Sequence, residues 1–338
     1  MKYKVNRIKS TNLNKFFNLL KKYNSKHLFL KNKSFFKWQY SNKNIYNGYI
    51  FSKLNKFSAF QLFVPYNKYD PSLTKSVFLT NFYSQGIHLA AGYIVFKKIL
   101  KNLSPDFIGS SGIWNKNLLN YHHKLGFKTG EMNHFVMVSP YKKNFKILNF
   151  HTRKEKIKRN LSTKITNDLT NYKVITDKNL FKLSYKIKFD FTPIKSLKYI
   201  NNRYLKHPEF KYHVYSFSKK NMSIKSMMVF RVLKNKSSSI IKIVEFFGED
   251  KYIPDYYKLI LSLLKNYKSE YISFYNFGVE KKIVLKSGFN LIKDNIEVYP
   301  DLFNPLVKKN VVLNFAYKNF ESRNVRLFLG DGDRDRPS

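Results

Sequence analysis

Cysteine is absent from all 338 residues of the chain. Disulfides, thiolate nucleophiles and thiolate metal ligands are excluded with it. Long apolar runs are missing too. The longest, such as Ile87 to Phe96, fall far short of the roughly 20 residues that a membrane-spanning helix needs. Met1 to Thr11 is polar and basic with no apolar stretch behind it, unlike a secretory signal. These absences lead us to expect a cytoplasmic protein without a membrane span. Acids are scarce: 21 Asp and Glu face 63 Lys and Arg, and Asp70, Asp106 and Glu131 are the only acids before position 150. The resulting charge of +42 suits nucleic acid or an anionic surface. Arginine is nonetheless rare, at nine of those 63, whereas proteins that read phosphates and bases favour its bidentate fork. Lysine is spread along the chain together with Asn, Ile, Phe and Tyr, all products of AT-rich codons. Codon drift explains this pattern better than nucleic-acid binding, although the charge still attracts anionic ligands.

Glycine is the most telling shortage. Of only 12 in the chain, Gly86, Gly92, Gly109, Gly112, Gly126 and Gly130 cluster in one stretch, so bare backbone is needed there. What the chain does have is enough to build large cores: 43% hydrophobic and 17% aromatic residues, over a length that fits two domains.

The first half reads as alternating strands and helices. A strand at Tyr3–Ile8 precedes a helix capped by Thr11 or Asn12 and running to Tyr23. Strands follow at Tyr49–Leu54, Phe57–Val64 and Ser76–Tyr83, with a turn at Asn47-Gly48. Gly86 opens a helix over His88–Leu103, and a short strand covers Asp106–Gly109. A helix over Asn117–Leu125 ends at Gly126, and Asn133–Val138 closes the unit as a strand.

A basic connector follows, and then the order repeats. The second half offers helices at Lys178–Tyr185, Ile194–Arg203, Pro254–Lys265 and Glu280–Ser287. Its β-rich runs are Tyr172–Ile175, Tyr212–Phe217, Lys225–Leu233, Ser239–Phe247 and Tyr271–Tyr275, with Val311–Tyr317 closing the unit. Leu125-Gly126-Phe127 has a counterpart in Ser287-Gly288-Phe289, and Trp38-Gln39-Tyr40 in Arg203-Tyr204-Leu205. The spacings agree, at 88 and 85 residues, which points to a structural duplication. The expected domains are 1–143 and 172–320, with a connector at 144–171 and a polar tail at 321–338.

Within this frame, Ser76 to Val138 resembles the GNAT family of acyl-CoA-dependent N-acyltransferases. One carrier is the strand–loop–helix through Phe82-Tyr83-Ser84-Gln85-Gly86-Ile87-His88. In the family this loop turns backbone N–H groups toward the CoA pyrophosphate at a helix N-terminus. Only Gly86 fits the family pattern there: Tyr83 stands in place of Arg or Gln, and His88 in place of Gly or Ala. The other carrier is Asn115-Lys116-Asn117-Leu118-Leu119-Asn120-Tyr121-His122-His123-Lys124-Leu125-Gly126-Phe127, similar to the family's second CoA-side motif. Asn115, Gly126 and Phe127 match in register, and His122 falls where the family has its general-acid Tyr. Tyr121 lies one residue earlier, about 100° round a helix, so one of the two points into the cleft.

The resemblance implies an α/β (α+β) fold of tandem domains, each a mixed, mostly antiparallel sheet flanked by helices. It implies acetyl-CoA or another acyl-CoA as co-substrate, held by Phe82, Tyr83, Gln85, Gly86, Ile87, His88 and Asn115. His122 or Tyr121 would protonate the departing thiolate, an imidazolium being a competent acid near neutral pH. His88 and His134 are candidate bases, beside a water or the acids Glu245, Glu249 and Asp250 of the second half. That half has Phe247-Gly248-Glu249-Asp250 where a phosphate loop would lie, and its carboxylates would repel a pyrophosphate. It also has Val284 in place of the acid, so CoA is not expected there.

Tandem chains of this shape resemble enzymes that acylate amino sugars for surface polysaccharides. The expected partner is accordingly a small-molecule amine, an amino sugar or sugar nucleotide among the options, and no metal is implied. A non-catalytic binding or assembly protein is the first alternative, and a nucleic-acid-associated protein the second. The tail, Gly330-Asp331-Gly332-Asp333-Arg334-Asp335-Arg336-Pro337, departs from the drifted composition. It reads either as a segment that docks on the first lobe or a partner, or as a frayed end; a calcium loop would need a closing Glu that it lacks.

Overall fold

A computed structural model describes residues 3–42, 44–53, 56–84, 89–113, 115–150, 169–219, 223–292, 297–301 and 306–335. The first lobe begins with strand β1 (Tyr3–Lys9) and helix α1 (Leu13–Tyr23), which buries Phe16, Phe17, Leu19 and Leu20 on one face. Asn12 does not cap this helix through its side chain; its amide bonds Lys9 N and Arg7 O instead. Two helices not foreseen from the sequence follow, α2 (Leu28–Lys31) and α3 (Lys33–Tyr40), started by the side chains of His27 and Asn32. Strands β2 (Ser41–Asn42), β3 (Ile45–Lys53), β4 (Lys56–Pro65) and β5 (Ser76–Ser84) form an antiparallel meander. Helix α4 (Leu89–Leu103) then crosses over to β6 (Phe107–Ile113), which runs parallel to β5. Helix α5 (Lys116–Lys124) and β7 (Lys128–Glu131) complete this part.

The chain next enters β8 (Asn133–Val138), and β9 (Asn149–Phe150) forms a small ribbon with β16 (Glu297–Val298). The second lobe repeats the first. It contains β10 (Tyr172–Ile175), α6 (Leu197–Ile200), β11 (His213–Phe217), β12 (Ser226–Asn235) and β13 (Ser238–Phe247). Helix α7 (Tyr257–Asn266), β14 (Ser269–Phe277), α8 (Lys281–Lys286) and β15 (Asn290–Leu291) follow, with β14 parallel to β13. The helix expected at Lys178–Tyr185 is only a short turn at Leu180–Lys182, because Asn179 bonds Thr176 N and Val174 O and gives the backbone another solution. The one expected at Ile194–Arg203 is a single turn capped by Ser196, followed by a wide turn over Asn201–Leu205.

The two lobes exchange their closing strands. Strand β17 (Asn314–Asn319) lies between β6 and β7 in the first sheet, and β8 lies between β14 and β15 in the second. The sequence assigned each to the lobe next to it in the chain; the structure reverses both assignments. Met132 alone separates β7 from β8, too short a link for the hairpin that would return the chain to the same sheet. At this crossing Met132 N donates to Leu313 O, so the outgoing and returning chains are paired.

Three main cores result. Helix α4 covers one face of the first sheet through Ala91, Val95 and Ile99, and α7 covers one face of the second. The largest core lies between the lobes and joins Phe16, Phe36 and Phe78 to Tyr199, Tyr204 and Leu327. No helix among the described residues is long and apolar enough to cross a membrane.

Candidate functional site

Strands β5 and β6 are paired only over Ser76–Phe78 and Phe107–Gly109. Beyond that point they splay, and their facing edges carry backbone groups that no longer pair with each other. A β-bulge accompanies the divergence: Gln61 pairs with Phe82 and Phe63 with Leu79, so Leu62 alone opposes Thr80 and Asn81. Gln61 Nε2 donates to Thr80 O and takes over a carbonyl that the ladder would have used. The bulge also sets which way side chains point. Leu79 packs into the α4 core and Phe82 stacks on Tyr121 of α5, so both face these helices. Thr80 and Asn81 both bond the Tyr40 hydroxyl of α3, on the opposite face.

A cavity of about 400 Å³ passes through this opening. Leu118 and His122 line it on the α5 side, Tyr23, Asn24 and His27 on the other. Val307, Lys309, Asp333 and Arg334 close it from the second half of the chain.

A directed hydrogen-bond chain runs along the α3 side. His27 Nδ1 accepts from Phe29 N, so Nε2 carries the proton and donates to Asn81 Oδ1 at 3.0 Å. That fixes the Asn81 amide with its nitrogen toward Asp333 Oδ2 at 3.1 Å and Tyr40 Oη at 3.1 Å. Tyr40 Oη in turn lies 3.2 Å from Asp333 Oδ2. The carboxylate of Asp333 is thus held in the cavity by two neutral donors, Tyr40 and an Asn81 that His27 orients.

On the α5 side, His122 Nδ1 lies 2.8 Å from Leu118 O. A carbonyl only accepts, so Nδ1 holds the proton and the neutral ring presents Nε2 as an acceptor. Burial holds the His122 pKa below its ordinary value, with the bond to Leu118 opposing. The imidazolium expected from the sequence is therefore disfavoured at neutral pH. Tyr121 sits behind Phe82, ring on ring at 5.9 Å. Its hydroxyl is buried without a hydrogen-bond partner among the described residues, and burial raises its pKa.

Among the other residues expected at the site, Phe82 lines the cavity. Tyr83 packs on Tyr23 and Phe60 instead. The Asn115 side chain caps α5, accepting from Asn117 N and Leu118 N. Gln85, Gly86, Ile87 and His88 lie outside the described residues. His134 does not reach the cavity: it is buried in the second sheet, stacked on Tyr275 and bonded to Ser273. Glu245 is buried on Lys195, and Asp250 pairs with Arg326. The acid that does reach the cavity is Asp333, in the tail. The signal for it was the tail's composition, without any indication of which acid would face inward.

The tail is docked along its described length. Leu327–Phe328 forms β18, which adds to β14 just where β13 and β14 part, and Gly330 N donates to Val244 O. This segment fills in the second lobe the opening that the first lobe keeps. Asp331 pairs with Lys195 at 2.8 Å and accepts from the Tyr66 hydroxyl. Asp335 pairs with Arg203 at 2.8 Å and accepts from the Tyr212 hydroxyl. Between these anchors Asp333 and Arg334 turn toward the first lobe. The Arg334 stem lies against Gly112, whose φ of +72° and missing Cβ leave room that any side chain would fill.

No family model and no curated protein matches the sequence. Solved structures do match the fold. A GCN5-related N-acetyltransferase from Anabaena variabilis aligns over 95% of this chain and 73% of its own, at a TM-score of 0.54 and 9% identity. N-myristoyltransferase of Saccharomyces cerevisiae, solved with bound myristoyl-CoA and inhibitors, aligns over 95% of this chain and 81% of its own, at 0.54 and 11% identity. With two mixed sheets, each flanked by helices, the chain has the tandem GNAT-like α+β fold that these structures share.

Proposed function

We propose that the chain is an N-acyltransferase that moves an acyl group from an acyl-CoA thioester to the amine of a small polar acceptor. One observation carries this reading: the splayed β5 and β6 open a cavity through the sheet, with Phe82, Leu118 and His122 on one face and a fixed carboxylate on the other. Acyl-CoA would supply an activated carbonyl from the α4–α5 face. The amine, its ammonium proton first released to solvent, would approach from the Asp333 face, and its nitrogen would bond to the carbonyl carbon and lose a further proton to that carboxylate. The C–S bond would break with its electron pair on sulfur, which then takes a proton. That proton would come from solvent through the open cavity, because Tyr121 stands behind Phe82 and burial raises its pKa, which makes it the weaker donor. His122, neutral with Nε2 as acceptor, suits holding an N–H of the CoA arm rather than giving up a proton. Beyond Phe78 and Gly109 the parted edges of β5 and β6 offer the carbonyl oxygen a polar edge.

A thermal-shift titration with acetyl-CoA, longer acyl-CoAs and free CoA tests the reading. Ligand at about 100 times its dissociation constant stabilises by roughly 2.7 kcal/mol, a shift of a few degrees at this size. Leu118→Trp, which fills the α5 side of the cavity, should abolish the shift. Absence of a shift with every CoA species would sink the reading. A shift without transfer to any amine would leave a binding protein.

A further inference from the structure

The cavity carries charge of both signs at its interlobe end, on neighbouring residues of the docked tail. Asp333 faces Asn81 and Tyr40 on the β5 side, and Arg334 lies across Gly112 on the β6 side. Arg334 is incompletely used. Its Nη2 reaches Asp301 only at 3.4 Å, and that carboxylate is already taken by Lys242 at 2.6 Å. Its Nε is buried without a hydrogen-bond partner among the described residues. Arg334 lines the cavity with its guanidinium charge only weakly compensated by Asp301. The exposed Lys309 lines the same end and adds a second cation.

From this juxtaposition we infer that the acceptor is a zwitterionic amine, with an ammonium set against Asp333 and an anionic group, carboxylate or phosphate, set against Arg334 and Lys309. This rests on the acyltransferase reading and narrows its substrate class. Arg334 presents planar N–H donors that suit either oxyanion. The two charges of the ligand would be held one residue apart along the tail, so the amine and its anion must lie within one small molecule. An amine without an anionic group would leave Arg334 and Lys309 facing the cavity without a counter-charge and lose that binding.

Calorimetric binding with the full chain and free CoA tests this with two matched pairs: glucosamine against glucosamine 6-phosphate, and alaninamide against alanine. The anionic member of at least one pair should bind about tenfold tighter or more, as expected for a charge-assisted contact; the pair that responds tells phosphate from carboxylate. Lys309→Glu, at an exposed position where folding is not at risk, should erase most of that preference. Arg334→Gln should do the same with a larger loss. Equal binding of charged and neutral members, or no binding by either anion, overturns the inference. Acyl release is measured separately. Anion-selective binding without transfer would sink the transferase reading and keep the pocket assignment, and transfer to neutral amines without anionic preference would do the reverse.

Discussion

In both lobes a parallel strand pair separates after a few residues, β5 from β6 and β13 from β14, and a positive-φ glycine stands beside the gap. In the first lobe the gap remains a cavity of about 400 Å³. In the second, Leu327, Phe328 and Leu329 fill it with side chains at most 2% exposed. Gly278 shows how closely the filling segment fits, since a Cβ there would run into the Val325 carbonyl. The polar groups differ accordingly. Glu245, on the second lobe's strand, is consumed by Lys195 and Tyr204. Thr80 and Asn81, on the first lobe's strand, are organised around a carboxylate that faces open space. One copy of the architecture thus serves as an anchor for the tail, and the tail completes the other copy. Neither lobe alone contains the whole cavity lining.

If Asp333 takes the proton from the amine, Asp333→Asn gives the largest effect on rate. A positioned general base contributes about 10² to 10⁴-fold, and kcat should fall by that much while acyl-CoA binding is unchanged. The amide keeps the size and an acceptor oxygen for Tyr40 and Asn81, so the network can survive the change. Full activity in this variant would remove the first lobe's distinction from the second.

The anchor can be broken directly. Burial opposes the charge on Lys195, but the carboxylates of Asp331 and Glu245 outweigh it and hold its pKa above the ordinary lysine value. Lys195→Met would leave Asp331 and Glu245 buried without their cation, Glu245 taking up a proton because burial already pushes its pKa up to about 8, at a cost of about 3–5 kcal/mol. Chemical denaturation should show that loss. Activity should fall at temperatures where the protein is still folded, although Lys195 does not line the open cavity. A destabilised variant with undiminished activity would mean that the tail holds Asp333 without this anchor.

What the sequence revealed follows the range of the interactions involved. The end of α5 was legible from Gly126, whose φ of +75° stops the helix, because that signal is local; its start was not, since Asn115 was given to CoA and the structure makes it the cap. The doubled order of elements was legible from periodicity. Strand exchange was not, because the apolar run in Asn133–Val138 says that a strand exists but not which edge it joins. Helices α2 and α3 escaped notice because Asn32, the residue between them, both ends one and caps the next. The bulge that turns Thr80 and Asn81 to one face depends on its register against β4, so no pattern within β5 announces it. His134 looked like a base on residue type alone; its actual surroundings come from a strand more than a hundred residues away.

The two histidines that adjoin these strand pairs sharpen the comparison at the smallest scale. His122 stands on the wall of the open cavity, whereas His134 lies inside the filled second sheet beside β14. Burial, the main cause, pushes the His134 pKa from 6.5 down to about 3, with Asp301 opposing and Lys242 assisting. The folded state therefore refuses a proton that the unfolded chain accepts once pH drops below the ordinary histidine range. Stability should be fully present above about pH 7 and decline as pH falls toward 3. By pH 5 this one residue should cost about 2 kcal/mol. Urea midpoints measured from pH 7.5 to 5 would show the slope, and His134→Gln, which cannot titrate, should flatten it by that amount. A slope that persists unchanged in the glutamine variant would place the acid sensitivity elsewhere and remove His134 from the contrast between the lobes.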